Sequence, residues 1–295
     1  MPKQTQAGAE ILAQGVLLER LALYDRALER YRVAAASRNP AIRAEALRRE
    51  SDVFRARCQW RDALERARES AYIAENSGLT NLITEAQNAE AAVYLTRGEV
   101  DAATALLQRV LHLTRDDRMQ GIALQNLGMA AATEGRFTDA EAWFTESRQC
   151  FERADYGRGL VVAFINLGGA ALELGDLDGA RLRFERALGA AQRVEDLELV
   201  AVATLNSAEC HALSDDFRRA EDLASTALGY FTTAGNHWRR VECLRLFGDM
   251  RLRQRDAATA ERAYRNGLEL ARQIGAPVEE QVLTSRLESL VGAAD

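Results

Sequence analysis

The sequence predicts an all-α protein: a right-handed solenoid of about seven antiparallel helix pairs, closed by one C-terminal helix. Three observations carry this. Seven alanines (Ala27, Ala63, Ala103, Ala140, Ala180, Ala220 and Ala260) recur at steps of 36, 40, 37, 40, 40 and 40 residues. Each is flanked at helical spacing. Four residues later stand Tyr31, Ala67, Leu107, Phe144, Phe184, Ala224 and Tyr264; three residues earlier stand Tyr24, Trp60, Val100, Phe137, Leu177, Phe217 and the weaker Ala257. Finally, the composition is rich in the helix formers Ala, Leu, Arg and Glu, and the three prolines (Pro2, Pro40, Pro277) all lie outside the repeated pattern. A fixed period in the range of 20 to 50 residues is the signature of stacked repeats, each touching only its neighbours.

The spacing places the repeats at residues 8–41, 44–78, 84–117, 121–155, 161–196, 201–236 and 241–276. Residues 121–154 show the unit most clearly. Ile122, Leu124, Leu127, Gly128 and Ala131 fall on one face of a first helix, Gly135 ends it, and Ala140, Phe144 and Ser147 line a second. Small residues at Gly128 and Ala140 let the two helices approach while Phe144 fills the space beside them. Residues 161–194 repeat this with Leu167, Gly168, Gly175, Leu177, Ala180, Phe184 and Ala187. Short breakers separate the units: Asn39-Pro40, Asn76-Ser77-Gly78, Asp116-Asp117, Asp155-Tyr156-Gly157, Glu195-Asp196 and Gly235-Asn236. After Gly275-Ala276-Pro277, residues 278–292 form one more amphipathic pattern (Val278, Val282, Leu283, Leu287, Leu290, Val291). This is a capping helix, with Glu279, Glu280, Arg286 and Glu288 expected to face water. The N-terminal end has no comparable cap, which leaves its face available for self-association.

Composition narrows the function. A net charge of −6 and a pI of about 5.4 argue against nucleic-acid binding. Cys58, Cys150, Cys210 and Cys243 have no CxxC spacing, and His112, His211 and His237 are scattered, so neither a disulfide framework nor a zinc site is expected. Free buried thiols fit a reducing, cytoplasmic location. The polar start (residues 1–6) carries no secretory h-region, and no run of 18 apolar residues would cross a membrane.

The pattern Leu127-Gly128, Gly135, Phe137, Ala140, Phe144, and again Leu167-Gly168, Gly175, Leu177, Ala180, Phe184, Ala187, resembles the tetratricopeptide repeat (TPR) family. The resemblance covers roughly residues 8–276. It is strongest in repeats four and five, fair in six and seven, and weaker in one to three, where Gln14-Gly15, Glu50-Ser51 and Glu90-Ala91 hold the small-pair position. A spacing near 40 resembles the longer-helix members: kinesin light chains, LGN-type scaffolds, MalT-like regulators and Rap-type bacterial sensors. Rap-type proteins act on response regulators through a separate N-terminal helical bundle. With the repeats starting near residue 8, neither that bundle nor a DNA-binding helix-turn-helix is expected.

The resemblance implies that the first helix of each pair lines a concave groove. Two residues before each small residue stand Asn126, Asn166 and Asn206, exactly one 40-residue step apart; Asn88 lies one residue out of register. A row of carboxamides suits an extended peptide backbone, since each both donates and accepts; the same residue type can also bond within the scaffold. Gln125, Met129, Thr133, Val162, Ile165, Gly169, Leu205 and Glu209 surround the row as an apolar floor for a peptide or partner helix, or as core. The groove ends carry charge, with Arg48, Arg49, Asp52 and Arg55 in repeat two and Arg245, Asp249 and Arg253 in repeat seven. Their guanidinium forks suit a partner's carboxylates. The spacings Glu45–Arg49, Arg48–Asp52 and Asp249–Arg253 also allow i,i+4 pairs on a solvated helix face, the reading favoured by sequence alone.

Enzymatic patterns are lacking. Cys210-His211 are helix neighbours that point about 100° apart, Gly168-Gly169 follows no strand, and no P-loop, GxSxG, HExxH or EF-hand spacing occurs. The sequence therefore predicts a non-catalytic interaction module without cofactor or metal, binding a protein or peptide in its groove. The alternatives are a sensor whose groove takes a small signalling ligand or short peptide, and a self-assembling scaffold.

Overall fold

In the computed structural model, which describes residues 2–21 and 23–292 with side chains for 6–21 and 23–290, every element is an α-helix. The helices pair as α1 (Pro2–Arg20) with α2 (Tyr24–Ala35), α3 (Pro40–Ala56) with α4 (Trp60–Asn76), α5 (Thr80–Thr96) with α6 (Val100–Leu113), and α7 (Asp117–Thr133) with α8 (Phe137–Arg153). Then come α9 (Gly157–Glu173) with α10 (Leu177–Arg193), α11 (Leu197–Leu213) with α12 (Phe217–Thr233), and α13 (His237–Arg253) with α14 (Ala257–Gln273); α15 (Pro277–Gly292) packs on the last pair. The chain is an all-α solenoid. Each odd-numbered helix also touches the next odd-numbered one, whereas the even-numbered helices form the outer layer.

From α3 onward the first helix of each pair starts four residues upstream of the windows read from sequence. The reason is local. Each interhelical turn is only three or four residues long, and its last residue often caps the next helix. Asn39, Asp116, Asp196 and Asn236 accept backbone N–H groups of α3, α7, α11 and α13 through their side chains. Most turns contain one residue in the left-handed region, as at Gly135 (φ 74°) and Gly175 (φ 81°), where glycine bears no steric cost.

The seven periodic alanines are all 0% exposed. Helix approach depends on the glycines opposite the second-helix aromatics. A Cβ placed on Gly128 would sit 2.4 Å from Phe144 Cε1, on Gly168 2.4 Å from Phe184 and on Gly248 2.3 Å from Tyr264. Where the outer residue is Ala67 or Ala224 instead, the inner partner sixteen residues earlier is Ser51 or Ala208, all buried. A large outer ring is thus met by an inner glycine, and a small outer alanine by an inner serine or alanine. Ser70 and Ser147 add buried hydrogen bonds, each hydroxyl donating at 2.7 Å to a first-helix carbonyl, of Ala44 and Gly121.

Successive repeats curve until repeat two meets the last repeat. The Trp60 Nε1–H donates to the Gly275 carbonyl at 2.7 Å, across 215 residues of sequence, and the Trp60 and Trp238 rings stack edge to face at 6.3 Å. The turns of repeats two and three therefore abut the opposite rim of repeat seven and the cap. The cap itself buries Leu283 and half-buries Val278, Val282, Leu287 and Leu290; the Val291 side chain lies outside the described residues. Glu279 does not face water as expected. Its side chain is 12% exposed and turned toward Arg245, because α15 lays its first turn over the inner ends of α13.

Candidate functional site

Because the solenoid closes a turn, its inner wall lines a partly open cavity of about 300 Å³. The cavity is built from both ends of the stack: Glu19 and Tyr24 of repeat one, the first-helix residues of repeats two to four, and Arg158, Asp196 and Glu198 of repeats five and six. Of the residues singled out from sequence, Arg48, Arg49, Asp52, Arg55, Asn88, Gln125 and Asn126 converge on it. Asn166, Asn206, Ile165, Glu209, Arg245 and Asp249 lie outside its lining.

Charge here is buried and densely paired. Arg48 is 8% exposed, so the solvated-face reading fails for it. Its guanidinium meets Glu45 at 2.6 Å, Asp52 at 2.8 Å and Glu85 at 3.2 Å. Arg49 binds Glu45 at 2.8 Å and lies 3.7 Å from Glu19. Burial would raise the Glu45 carboxyl, but the charge and hydrogen bonds of Arg48 and Arg49 overcome it and hold the group down at about 2. Arg118 bridges Glu85 at 3.0 Å and lies over the Tyr156 ring, 5.1 Å from its centroid. Arg158 pairs with Asp196 at 3.2 Å. Six arginines and five carboxylates line the cavity. Arg55 breaks the pattern: its Nε is buried and has no hydrogen-bond partner among the described residues.

The asparagine row splits in function. Asn206 donates its amide to the Val202 carbonyl of its own helix at 2.8 Å, a scaffold bond. Among the described residues Asn166 Nδ2 is buried with no partner, and so is Asn88 Oδ1, although Asn88 Nδ2 contacts the Met119 sulfur at 2.9 Å. Asn126 and Gln125 are half-buried on the cavity wall. Orphaned buried amide atoms are uncommon in folded proteins and call for a partner. The apolar floor is largely core: Ile165 (8%) and Leu205 (6%) pack between neighbouring first helices with Val161 and Leu199, and Val162 packs against the same cluster. Met129 (42%) and Thr133 are exposed, with Thr133 Oγ1 donating back to the Met129 carbonyl.

A second, more acidic group occupies the far end of the inner wall. Arg245 sits within 3.4–3.9 Å of Asp249, Glu209 and Glu279. The expected Asp249–Arg253 pair does not form. Arg253 turns to Asp215 at 2.8 Å, while Asp249 accepts from Tyr264 Oη at 2.7 Å and pairs with Arg286 at 3.1 Å. Burial, with Glu242 close by, pushes the Glu279 carboxyl up to about 7 despite Arg245. Burial also raises Glu209.

The Glu45–Arg49 pair was legible from the spacing; sequence reading missed Glu85, Arg118, Arg158 and Glu198. A signal existed: Glu45, Glu85 and Gln125 are 40 residues apart, as are Arg118, Arg158 and Glu198. The step that defines the asparagine row also generates these charged rows.

The architecture is a helix-pair solenoid, and comparison with known proteins specifies which. Residues 119–193 match the tetratricopeptide repeat family model. The fold is that of the tetratricopeptide-repeat and Rap-like solenoids. A Rap protein complexed with competence and sporulation factor is similar over 90% of this chain and 75% of that chain, at 17% identity and a TM-score of 0.75. The Rap conjugation gene regulator of the plasmid pLS20, in complex with the Phr* peptide, is similar over 90% and 73%, at 15% identity and a TM-score of 0.74. A tetratricopeptide repeat protein from Parabacteroides merdae is similar over 97% and 99%, at 16% identity and a TM-score of 0.54. No curated protein matches the chain. Among the described residues no helix is long and apolar enough to cross a membrane.

Proposed function

We propose that this chain is a non-catalytic interaction module that takes a peptide segment in the partly open cavity of its inner wall. The carrying observation is the convergence of Arg55, Asn88, Gln125 and Asn126 on one 300 Å³ cavity, two of them with buried polar atoms that have no partner among the described residues. Such atoms stabilise a ligand's backbone or carboxylate more than they stabilise the empty wall. Two of the solved structures sharing this fold are described as complexes with competence and sporulation factor and with the Phr* peptide. The cavity volume favours the sensor version of this reading, since about 300 Å³ suits a small ligand or a few residues of peptide rather than a whole partner helix. Four buried free thiols fit a cytoplasmic setting.

The test separates ligand-facing from scaffold amides. In affinity capture from native lysate, Asn126→Ala and Asn88→Ala are expected to lose the bound peptide while keeping wild-type helicity by circular dichroism. Asn206→Ala, whose amide bonds its own helix, is expected to retain it. Equal capture by all three variants would remove the amide row from the site.

A further inference from the structure

The contact that closes the ring differs from every other interface in the stack. Its two sides are turns and first helical turns rather than helix faces. Cys58 and Trp60 follow α3, and Trp238 and Gly275 flank the last repeat. Two contacts hold it. Trp60 donates to the Gly275 carbonyl at 2.7 Å, and the two indoles meet edge to face. Nearby, a Cβ built on Gly98 would approach Val278 Cγ2 only to 3.5 Å. No ion pair spans the seam among the described residues. The apolar core does not cross it either: Trp60 packs on the cluster of repeats one and two, and Trp238 on that of repeat seven and the cap. Beside the seam lies an open cleft of about 710 Å³ bordered by Trp60, Leu64, Arg68, Arg97 and Pro277. Each indole is therefore anchored on its own side, and parting the rims would leave both folded units intact.

The bore of the channel depends on this contact. Tyr24 and Glu19 on one side of the ring and Asp196 and Glu198 on the other wall the same cavity, so separating the rims moves the two walls apart. We propose that the Trp60–Trp238–Gly275 contact is a releasable clasp that sets the channel's bore, opening to admit the ligand and reclosing around it. The ligand part of this statement rests on the peptide reading above; the clasp itself does not. Coupling follows from reciprocity: an occupant that bridges the walls favours the closed ring, and a closed clasp tightens the site by the same factor.

A thiol reporter tests it. Ala92 is small, half-buried and on the cavity wall. The four native cysteines are buried, and burial pushes the thiols up (Cys58 and Cys243 to about 12), so they react slowly. In an A92C background, W60A is expected to speed labelling by a bulky maleimide about tenfold, as a local opening equilibrium shifts, and to raise the radius of gyration in X-ray scattering. W143A, an indole on the outer layer away from the seam, should leave both unchanged. A short bismaleimide joining R61C to P277C across the cleft should slow labelling below the parent rate. If W60A does not fold, W60F keeps the ring and removes only the N–H donor, and an intermediate labelling rate is expected. Equal labelling in folded W60A or W60F, the tethered form and the parent would overturn the clasp. Loss of peptide capture in Asn126→Ala with normal clasp behaviour, or the reverse, tells the two proposals apart.

Discussion

Repeats four and five and repeats two and three are the same architecture put to different use. In the former, inner Gly128 and Gly168 lie against Phe144 and Phe184, and the second helices sit close because nothing intervenes. In the latter, Ser51 and Ala91 replace glycine, and the inner wall is occupied by Arg48, Glu45, Asp52 and Glu85 in mutual contact. One region holds its shape by steric fit; the other spends its inner surface on buried charge and on amides without partners. Where the glycine–aromatic packing of repeats four and five gives way, buried charge and unpartnered amide atoms collect on the inner wall.

Three experiments break or sharpen this contrast. The largest effect is expected from Arg48→Ala, which leaves Asp52 without its arginine and Glu45 and Glu85 with only Arg49 and Arg118 in a largely buried wall. Chemical denaturation should show a loss of about 3 kcal/mol, since removing one member of a buried ion cluster costs far more than the intact cluster contributes. In the regular region the sensitive site is steric instead. Gly128→Leu drives a side chain into the Phe144 ring and should cost about 2–3 kcal/mol. Gly169→Ala, one position past the equivalent Gly168, meets no atom within 4 Å and should be neutral or stabilise by about 0.5 kcal/mol.

The pattern of what was legible follows the same division. Packing repeats every 40 residues and is written in residue size, so Ala140, Phe144, Gly128 and their equivalents could be placed before any coordinates. The charged wall could not be sorted, because a chain of letters does not reveal which side of a helix is enclosed. Arg48–Asp52 looks the same in sequence whether water or a second wall faces it. Ring closure decides that, and it depends on Trp60 and Trp238, which read as an ordinary turn aromatic and an unassigned helix start. Asn206 illustrates the converse: its register matches Asn126, yet a local bond to Val202 removes it from the row.

A pH-dependent effect is expected at the acidic end. Glu279 has a folded-state value of about 7, raised mainly by burial, against 4.5 when free. The folded chain therefore holds more protons in this window. The stability this group contributes is complete below pH 4.5 and is lost as pH rises through 7. Glu279→Gln should gain on the order of 1 kcal/mol over wild type at pH 8, and the gain should vanish below pH 4.5 in parallel thermal melts. A gain independent of pH would mean that side-chain shape rather than charge governs this end of the wall.

The hydrogen bond from Trp60 to Gly275 has a consequence for how the molecule comes apart. Linear repeat arrays melt from their termini inward, one unit at a time, because each unit answers only to its neighbours. Here a tie spanning 215 residues gives repeat two and the last repeat a second neighbour each, and it adds one distant closure to an otherwise local folding problem. End-fraying is then penalised twice over, and denaturation of this chain should more nearly resemble the single cooperative step of a globular domain.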